Sequence, residues 1–204
     1  MKKVCSDWKA LLPAGAAGPH LFDEFQTRAT AVAGEVIRVK SPVDAAAAVA
    51  GLVQSINAKK IVAVNCPLQQ AAGLHEELKK LGIELYTTKE DIAVHAESAD
   101  MGISGVEFGI AETGSVLQDA YAVEGRLVST LTPIHVVFLS SSHIVPGVKE
   151  AFDIMSGVFH QGYLSFITGP SRTADIERVL TIGVHGPSRF VIIAVDEQPA
   201  GGAA

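Results

Sequence analysis

Cysteine is scarce in this sequence: Cys5 and Cys66 are the only two in 204 residues. An ordinary iron–sulfur cluster takes four thiolates, so two cysteines are too few for the chain to hold a cluster of its own. Two cysteines this far apart are typical of reduced thiols in a cytosolic protein and not of a disulfide. Cys66 ends an apolar run and precedes Pro67, which predicts a small buried side chain.

Long apolar runs and clusters of basic residues are also missing. No apolar run approaches the roughly 20 residues that span a bilayer. Asp7 and Lys9 interrupt the N-terminal region where a secretory signal would need a hydrophobic core. The sixteen basic residues are scattered and the net charge is −6, which argues against nucleic-acid binding. We therefore expect a cytoplasmic globular protein without a membrane span or a nucleic-acid partner.

Several common catalytic motifs are absent from the sequence as well. It contains no Gly-x-Gly-x-x-Gly and no Walker-type loop, which disfavours a dinucleotide or P-loop nucleotide site. Ser115 and Ser171 do not lie in a Gly-x-Ser-x-Gly nucleophile elbow. The histidines show no paired spacing that resembles a zinc site, so we predict no metal in this chain.

What the sequence has is an alternation of strand-like and helix-like segments, with 48% hydrophobic residues. This pattern predicts an α/β layered domain with a largely parallel central sheet. The strands are predicted at 35–39, 60–64, 83–86, 101–106, 115–119, 134–139, 163–168 and 190–195, the last two closing the sheet. The helices are predicted at 6–12, at 20–33, from 42, at 71–81, at 148–158 and from 174. We divide the chain into an N-terminal helical extension (1–34), an α/β domain (35–197) and a flexible tail (198–204).

Gly109–Ser115, which we call the first motif, is the most informative segment. Its two glycines bracket one carboxylate, Glu112, and the Thr113 hydroxyl, between two predicted strands. Glycine permits backbone dihedrals that other residues avoid and lets a ligand or another backbone approach closely. A carboxylate on such a turn acts as an acid, a base or a nucleophile, or it simply ties a loop together.

The second motif, Thr168–Glu177, joins a predicted strand to a predicted helix that begins at Ala174. Helix N-termini bind anions through unpaired N–H groups, and Arg172 would add a bidentate partner for a phosphate or carboxylate. In the structural alternative, Thr173 only caps the helix, and acidic residues in its first turn satisfy the dipole. We favour ligand binding because capping alone leaves Arg172 without a role.

The third motif, Gly183–Pro187, places His185 on a tight loop before the final strand. A histidine there acts as a general base or binds a polar ligand, although a lone histidine more often hydrogen-bonds a nearby carbonyl. From spacing alone we take the structural interpretation for His185. His135, inside an apolar strand, is predicted to be a core histidine with a satisfied hydrogen bond.

Together the three motifs resemble the LUD-domain family, in their order and approximate spacing, over most of residues 35–197. The resemblance implies a fold akin to that of sugar-phosphate isomerases and CoA-transferases. It also implies a role in oxidising L-lactate to pyruvate with two partner proteins that carry iron–sulfur clusters. This chain would be the cluster-free subunit and would bind no cofactor itself, in agreement with its cysteine count.

In this superfold, ligands collect at the carboxyl ends of strands, where the three motifs would converge. Our first hypothesis is a site for a small carboxylate or phosphate, with Glu112 as the acid/base or orienting carboxylate and Arg172 as the anion clamp. The substrate-binding residues predicted on this hypothesis are Thr113, Gly114, Ser115, Gly169, Ser171, Arg172, Thr173, His185 and Gly186. Two alternatives remain: a non-catalytic scaffold or regulatory subunit of the lactate system, and an acyl- or CoA-transferase with Glu112 as nucleophile.

Overall fold

The central feature of the protein is a six-stranded parallel sheet with strand order β1-β12-β7-β4-β2-β3. A computed structural model describes residues 8–158, 162–173 and 181–196. The strands of this main sheet are β1 (Glu35–Val39), β2 (Lys60–Ala63), β3 (Glu84–Tyr86), β4 (Met101–Gly105), β7 (Ile134–Ser140) and β12 (Arg189–Val195). All five neighbouring pairs run parallel, which confirms the predicted fold class.

A second sheet of four short strands packs beside the main sheet. Its strand order is β8-β5-β6-β9, and the β6 pairings with β5 and β9 are antiparallel. The strands are β5 (Phe108–Ile110), β6 (Ser115–Asp119), β8 (Ile144–Val145) and β9 (Leu164–Ile167). The prediction that the 163–168 strand closes the main sheet is therefore wrong, since this strand is β9 of the second sheet. Apolar alternation locates a strand but does not say which sheet the strand enters.

The helices cover both faces of the main sheet. They are α1 (Phe22–Ala31), α2 (Pro42–Ser55), α3 (Pro67–Ala71), α4 (Leu74–Lys80), α5 (Lys89–His95), α6 (Val123–Leu131) and α7 (Val148–Val158). Short 3₁₀ turns lie at Trp8–Leu11, Pro19–Leu21, Ala96–Ser98 and Ser141–His143. In the described part of the chain, no helix combines the length and the apolar character that crossing a membrane requires.

Two of the helix predictions show how local sequence acts. Ser41 caps α2 in a reciprocal capping box with Asp44, as expected where Ser-Pro opens a helix. The helix predicted at 71–81 begins instead at Leu74, as α4, because Gly73, whose φ is +63°, separates it from the preceding α3. This left-handed conformation interrupts the helical hydrogen bonding although the apolar spacing continues across it.

Separate apolar clusters hold the layers together. On one face of the main sheet, α2 and α4 pack against inward residues of β2, β4, β7 and β12. On the other face, Phe22 and Phe25 of α1 pack with Val116 of the second sheet and with β7 and β12. α7 and the turn at Trp8–Leu11 cover the far side of the second sheet. α1 thus belongs to the core, and the domain boundary at residue 34 stays a prediction.

Candidate functional site

The first motif forms the turn between β5 and β6, and its carboxylate is engaged in the fold. The Glu112 side chain accepts a hydrogen bond on Oε2 from the Val148 N–H, at 2.9 Å. The Glu112 N–H itself donates to the Pro146 carbonyl at 3.0 Å. Because Val148 is the first residue of α7, this carboxylate caps the N-terminus of that helix. Glu112 remains an exposed residue with a second carboxylate oxygen.

Gly114 shows why the turn needs a glycine. Its φ is +67°, and a Cβ built on it would overlap the backbone of Arg28 and Ala29 in α1. The absence of a side chain therefore lets the turn lie directly on the helix backbone. In the described structure, Gly114 therefore allows the last turns of α1 to pack closely against this turn.

A hydrogen bond between two hydroxyls joins the first motif to the second. Ser115 is buried, and its Oγ lies 2.7 Å from Oγ1 of Thr168. Residues 115 and 168 lie one position beyond the Val116–Ile167 pair that ends the β6–β9 ladder. Segments more than 50 residues apart in sequence are therefore in contact, as the first hypothesis requires.

The second motif also packs on the C-terminal end of α1. Gly169 has a φ of +75°, and a Cβ there would overlap the carbonyl oxygen of Val32. The Arg172 guanidinium donates a hydrogen bond to the same carbonyl. Basic groups stabilise the end of a helix, where carbonyls lack partners within the helix. Arg172 thus has a structural role, capping α1, that the sequence did not reveal.

Arg172 and Thr173 form the short strand β10 (Arg172–Thr173), antiparallel to β11 (Thr181–Ile182). Thr173 pairs with Thr181 in this ladder. Thr173 therefore lies in a strand, whereas one interpretation of the sequence made it the cap of a helix. The helix predicted from Ala174, with its acidic first turn, lies outside the described residues.

The third motif packs against the second. The Ser171 N–H donates to the Pro187 carbonyl at 2.8 Å, and the Gly183 N–H donates to the Ser171 carbonyl at 2.9 Å. A Cβ on Gly186 would lie 3.2 Å from the Ser171 Cβ. His185 is exposed, between these contacts. The three motifs are therefore linked in series, the second contacting both of the others.

The place where the motifs meet differs from the expectation. Ser188, just after the third motif, donates its N–H to the Pro133 carbonyl at 2.9 Å, immediately before β7. Because β7 and β12 run parallel, the third motif lies at the amino ends of these strands. The first motif lies within the second sheet, whereas the second motif follows β9 and enters the separate β10–β11 pair. The prediction that all three motifs meet at the carboxyl ends of the strands is wrong. The third motif precedes β12, but the prediction treated it like the loops that follow strands.

Comparison with known proteins gives the family. The model of the LUD domain matches residues 22–195. The chain belongs to the LUD domain family. The match begins at the first residue of α1, ends at the last residue of β12 and includes all three motifs.

Two relatives and one solved structure illustrate the similarity. A lactate utilization protein C from Halalkalibacterium halodurans is 30% identical over 158 residues, which are 74% of this chain and 69% of that protein. One from Oceanobacillus iheyensis is 28% identical over 193 residues, 89% of this chain and 82% of that protein. A crystal structure of a DUF162 family protein from Deinococcus radiodurans has a TM-score of 0.60 at 18% identity, covering 86% of this chain and 96% of that one.

This LUD domain also holds a buried polar chain that sequence reasoning missed. Gln118 donates its side-chain N–H to Ser104 Oγ at 3.0 Å, and Ser104 Oγ lies 2.9 Å from His135 Nε2. All three residues are buried between the two sheets. If the Ser104 hydroxyl donates to Nε2, the neutral imidazole carries its proton on Nδ1. Polar residues at inward positions of apolar strands are the signal that would have identified this chain.

The Cys66 thiol has a packing role in the LUD domain. Its Cβ would lie 2.6 Å from a Cβ built on Gly105, so β4 and the start of α3 are in close contact. Burial raises the pKa of this thiol to about 11, and the Glu107 charge acts in the same direction. The thiol is therefore protonated at neutral pH and is a poor nucleophile. Cys66 is partly buried, where the sequence predicts a buried side chain.

Two enclosed histidines make the stability of the fold dependent on pH. Burial lowers the pKa of His135 to about 3 and that of His143 to about 4, from an ordinary value of 6.5. Below about pH 6.5 the unfolded chain binds protons at these sites that the folded chain excludes, so stability falls as the pH falls from 6.5 toward 4. At pH 5 each histidine is expected to lower the free energy of unfolding by about 2 kcal/mol relative to its value at neutral pH.

Urea unfolding at pH 7 and pH 5 measures this effect. We expect His143→Gln to lose less stability than the wild-type protein does between the two pH values, because the variant no longer has this titrating group. An identical loss in both proteins would contradict the assignment. His20→Gln, at an exposed histidine, is the matched control and should follow the wild type.

Proposed function

We propose that this LUD domain is the cytoplasmic, cluster-free subunit of an L-lactate utilisation system. Oxidation of L-lactate to pyruvate releases two electrons and two protons, and iron–sulfur partner proteins would take the electrons. The observation that carries the proposal is family membership, together with relatives named lactate utilization protein C. The two cysteines of the chain are too few for a cluster of its own, which supports this division of roles.

We further propose that the surface built by the three motifs binds a small carboxylate or phosphate. Arg172 and His185 are both exposed there, on loops that contact each other through Ser171. A guanidinium has five N–H donors, so a hydrogen bond to Val32 leaves others for a bidentate contact with an anion. Thr113, Ser171 and Thr173 supply hydroxyl groups on the same motifs, whereas the buried Ser115 hydroxyl bonds to Thr168 and supports the turn from inside.

Glu112 has a more restricted role in this proposal. One of its oxygens caps α7, so the carboxylate is held in place and only the other oxygen is available to a ligand. A carboxylate fixed in this way orients a hydroxyl group or accepts its proton. For L-lactate, the 2-hydroxyl is the group that such an oxygen would contact while Arg172 holds the carboxylate.

The second candidate function is a non-catalytic scaffold or regulatory subunit. Two capping interactions favour this scaffold function, because Glu112 and Arg172 each form a hydrogen bond with a helix end. On this alternative, the motifs hold α1 and α7 in place and present a surface to the partner proteins.

Binding measurements test the anion site. We expect Arg172→Ala and His185→Ala each to weaken L-lactate or phosphate binding, measured by calorimetry, by about tenfold or more, the value of one charge-assisted hydrogen bond. Arg38→Ala is the control, since this exposed arginine pairs with Asp196 away from the motifs. If Arg172→Ala and His185→Ala each bind the anion as tightly as the wild type, the proposed site is wrong. The His185 side chain is exposed, so its removal should leave the fold intact.

Reconstitution separates the two candidate functions. Lactate-dependent electron transfer is measured with the iron–sulfur partners alone, with the wild-type chain, and with Glu112→Gln. The enzymatic proposal expects little turnover without the chain and reduced turnover with the variant. Full turnover without the chain would favour the regulatory alternative. Full turnover with Glu112→Gln would contradict a proton-accepting role for this carboxylate.

A further inference from the structure

The outer edge of the second sheet differs from the other sheet edges. β9 pairs with β6 on one side only, and among the described residues no backbone group pairs with its other side. From Tyr163 to Thr168 the sequence contains no charged residue and no proline. Sheet edges normally carry such residues because they prevent pairing with another strand.

The other edge strands show that protection. β1 carries Glu35 and Arg38, which form ion pairs with Arg189 of β12 and with Asp196 just after β12, respectively. β3 carries the exposed Glu84. β8 has only two residues, and the Gly18 N–H donates to the Ile144 carbonyl at 2.9 Å. β9 is thus the unprotected edge of the two larger sheets in the described part of the chain.

Exposed aromatic side chains surround this edge. Tyr163 is 56% exposed, Phe166 is 40% exposed and Phe152 of α7 is 55% exposed. The rings of Phe152 and Phe166 lie 5.9 Å apart, and Arg126 stacks on the Tyr163 ring at 4.9 Å. Clustered aromatic groups on a surface are typical of interaction sites.

The ladder determines which backbone groups of β9 are available. The Ala120 N–H donates to the Tyr163 carbonyl, and alternate residues of an antiparallel strand point to the same neighbour. Residues 163, 165 and 167 therefore face β6. Leu164 and Phe166 direct their N–H and C=O groups to the open edge.

We propose that β9 pairs with β9 of a second copy of this chain, antiparallel about a two-fold axis at Ser165. In this register Leu164 of one chain and Phe166 of the other exchange two hydrogen bonds, and the symmetry-related pair exchanges two more. Residues opposite each other share a face of the sheet, so Phe166 packs on Leu164 of the second copy. Tyr163 meets Ile167 of the second copy in the same way.

The sequence of β9 favours this occupant because it is self-complementary about Ser165. Each apolar side chain meets an apolar one, and no charge opposes its own copy across the axis. The pairing would join the two second sheets into one continuous sheet of eight strands. Since each chain carries a net charge of −6, screening by salt should strengthen the dimer.

Cysteine cross-linking tests the register directly. Residue 165 lies opposite itself in a non-hydrogen-bonded pair, in which the side chains approach most closely. We expect Ser165→Cys to form a disulfide-linked dimer under mild oxidation. Phe166→Cys is the matched control, because residue 166 lies opposite 164, two residues or about 7 Å along the strand from its own copy. The wild type, treated identically, reports any reaction of Cys5 and Cys66.

Sedimentation equilibrium tests the dimer itself on the full chain. We expect the wild type to dimerise and Phe166→Lys to weaken the dimer by about tenfold or more, since an edge lysine opposes strand pairing. Val94→Lys, at an exposed valine of α5, is the control for added charge. Circular dichroism confirms that each variant is folded.

Each other outcome overturns the proposal. A wild type that stays monomeric at all concentrations excludes self-pairing. A dimer that resists Phe166→Lys, without selective Ser165→Cys cross-linking, uses a different surface. A monomer that binds an iron–sulfur partner, with binding lost in Phe166→Lys, shows that the edge accepts a strand of another protein.

Discussion

Replacing Gly114 with alanine is expected to lower the free energy of unfolding by about 3–5 kcal/mol. Two costs add at this position. The φ of +67° strains any residue with a side chain, and the new Cβ would overlap the backbone of Ala29. Backbone atoms cannot rotate aside as the end of a flexible side chain can, so the turn and α1 must separate.

Urea unfolding monitored by circular dichroism measures this loss. Gly51→Ala is the matched control, because Gly51 lies in α2 with open space around a built Cβ. Alanine is the better helix former, so this control should gain about 0.5–1 kcal/mol. Equal stability of Gly114→Ala and the wild type would show that the turn does not rest on α1.

The second large effect is expected for Phe25→Ala, with a loss of about 3–5 kcal/mol from the cavity it creates. Phe25 is fully buried in the cluster that joins α1 to both sheets. Its ring lies 2.9 Å from the position of a Cβ on Gly109, so the first motif packs on it directly. Phe25→Leu retains most of the volume and should lose less than about 1.5 kcal/mol.

Hydrogen exchange in Phe25→Ala tests whether α1 holds the motifs in place. The amide of Gly114 is bonded to the Ile110 carbonyl and that of Ser171 to the Pro187 carbonyl. We expect exchange at both amides to accelerate more than exchange in β4, because both motifs rest on the last turns of α1. Equal acceleration throughout the protein would mean that the variant only lowers global stability. Val94→Ala, at an exposed position, should change neither measurement.

Elements with strong local signals were predictable from the sequence. β1 at 35–39, β6 at 115–119 and α7 at 148–158 have the predicted bounds. In α7 local periodicity suffices because Val148, Ala151 and Met155 of its predicted apolar face pack in the cluster on the second sheet. Several elements were not predicted. The strands β5, β8, β10 and β11 have only two or three residues each, too few to show a period, and the helices α5 and α6 were missed as well.

The candidate site was predictable in its residues but not in its arrangement. The glycines at 114 and 169 were identified as special, and both have positive φ values. Their partner, the C-terminal end of α1, was not predicted, because no pattern in the sequence links residues 29–32 to loops more than 80 positions later. The sequence likewise does not show that Arg172 contacts the Val32 carbonyl, so Arg172 was assigned only a ligand-binding role.

The sequence by itself determined the fold class, the absence of a cluster-binding cysteine set and the residue types of the three motifs. These properties follow from composition and from spacing along one segment at a time. Only the tertiary structure decided that a second sheet exists, that the first two motifs pack on α1 and the third packs on the second, and that the outer edge of β9 has no partner among the described residues. Such features depend on contacts between distant segments, which packing selects from many arrangements that the same local patterns permit.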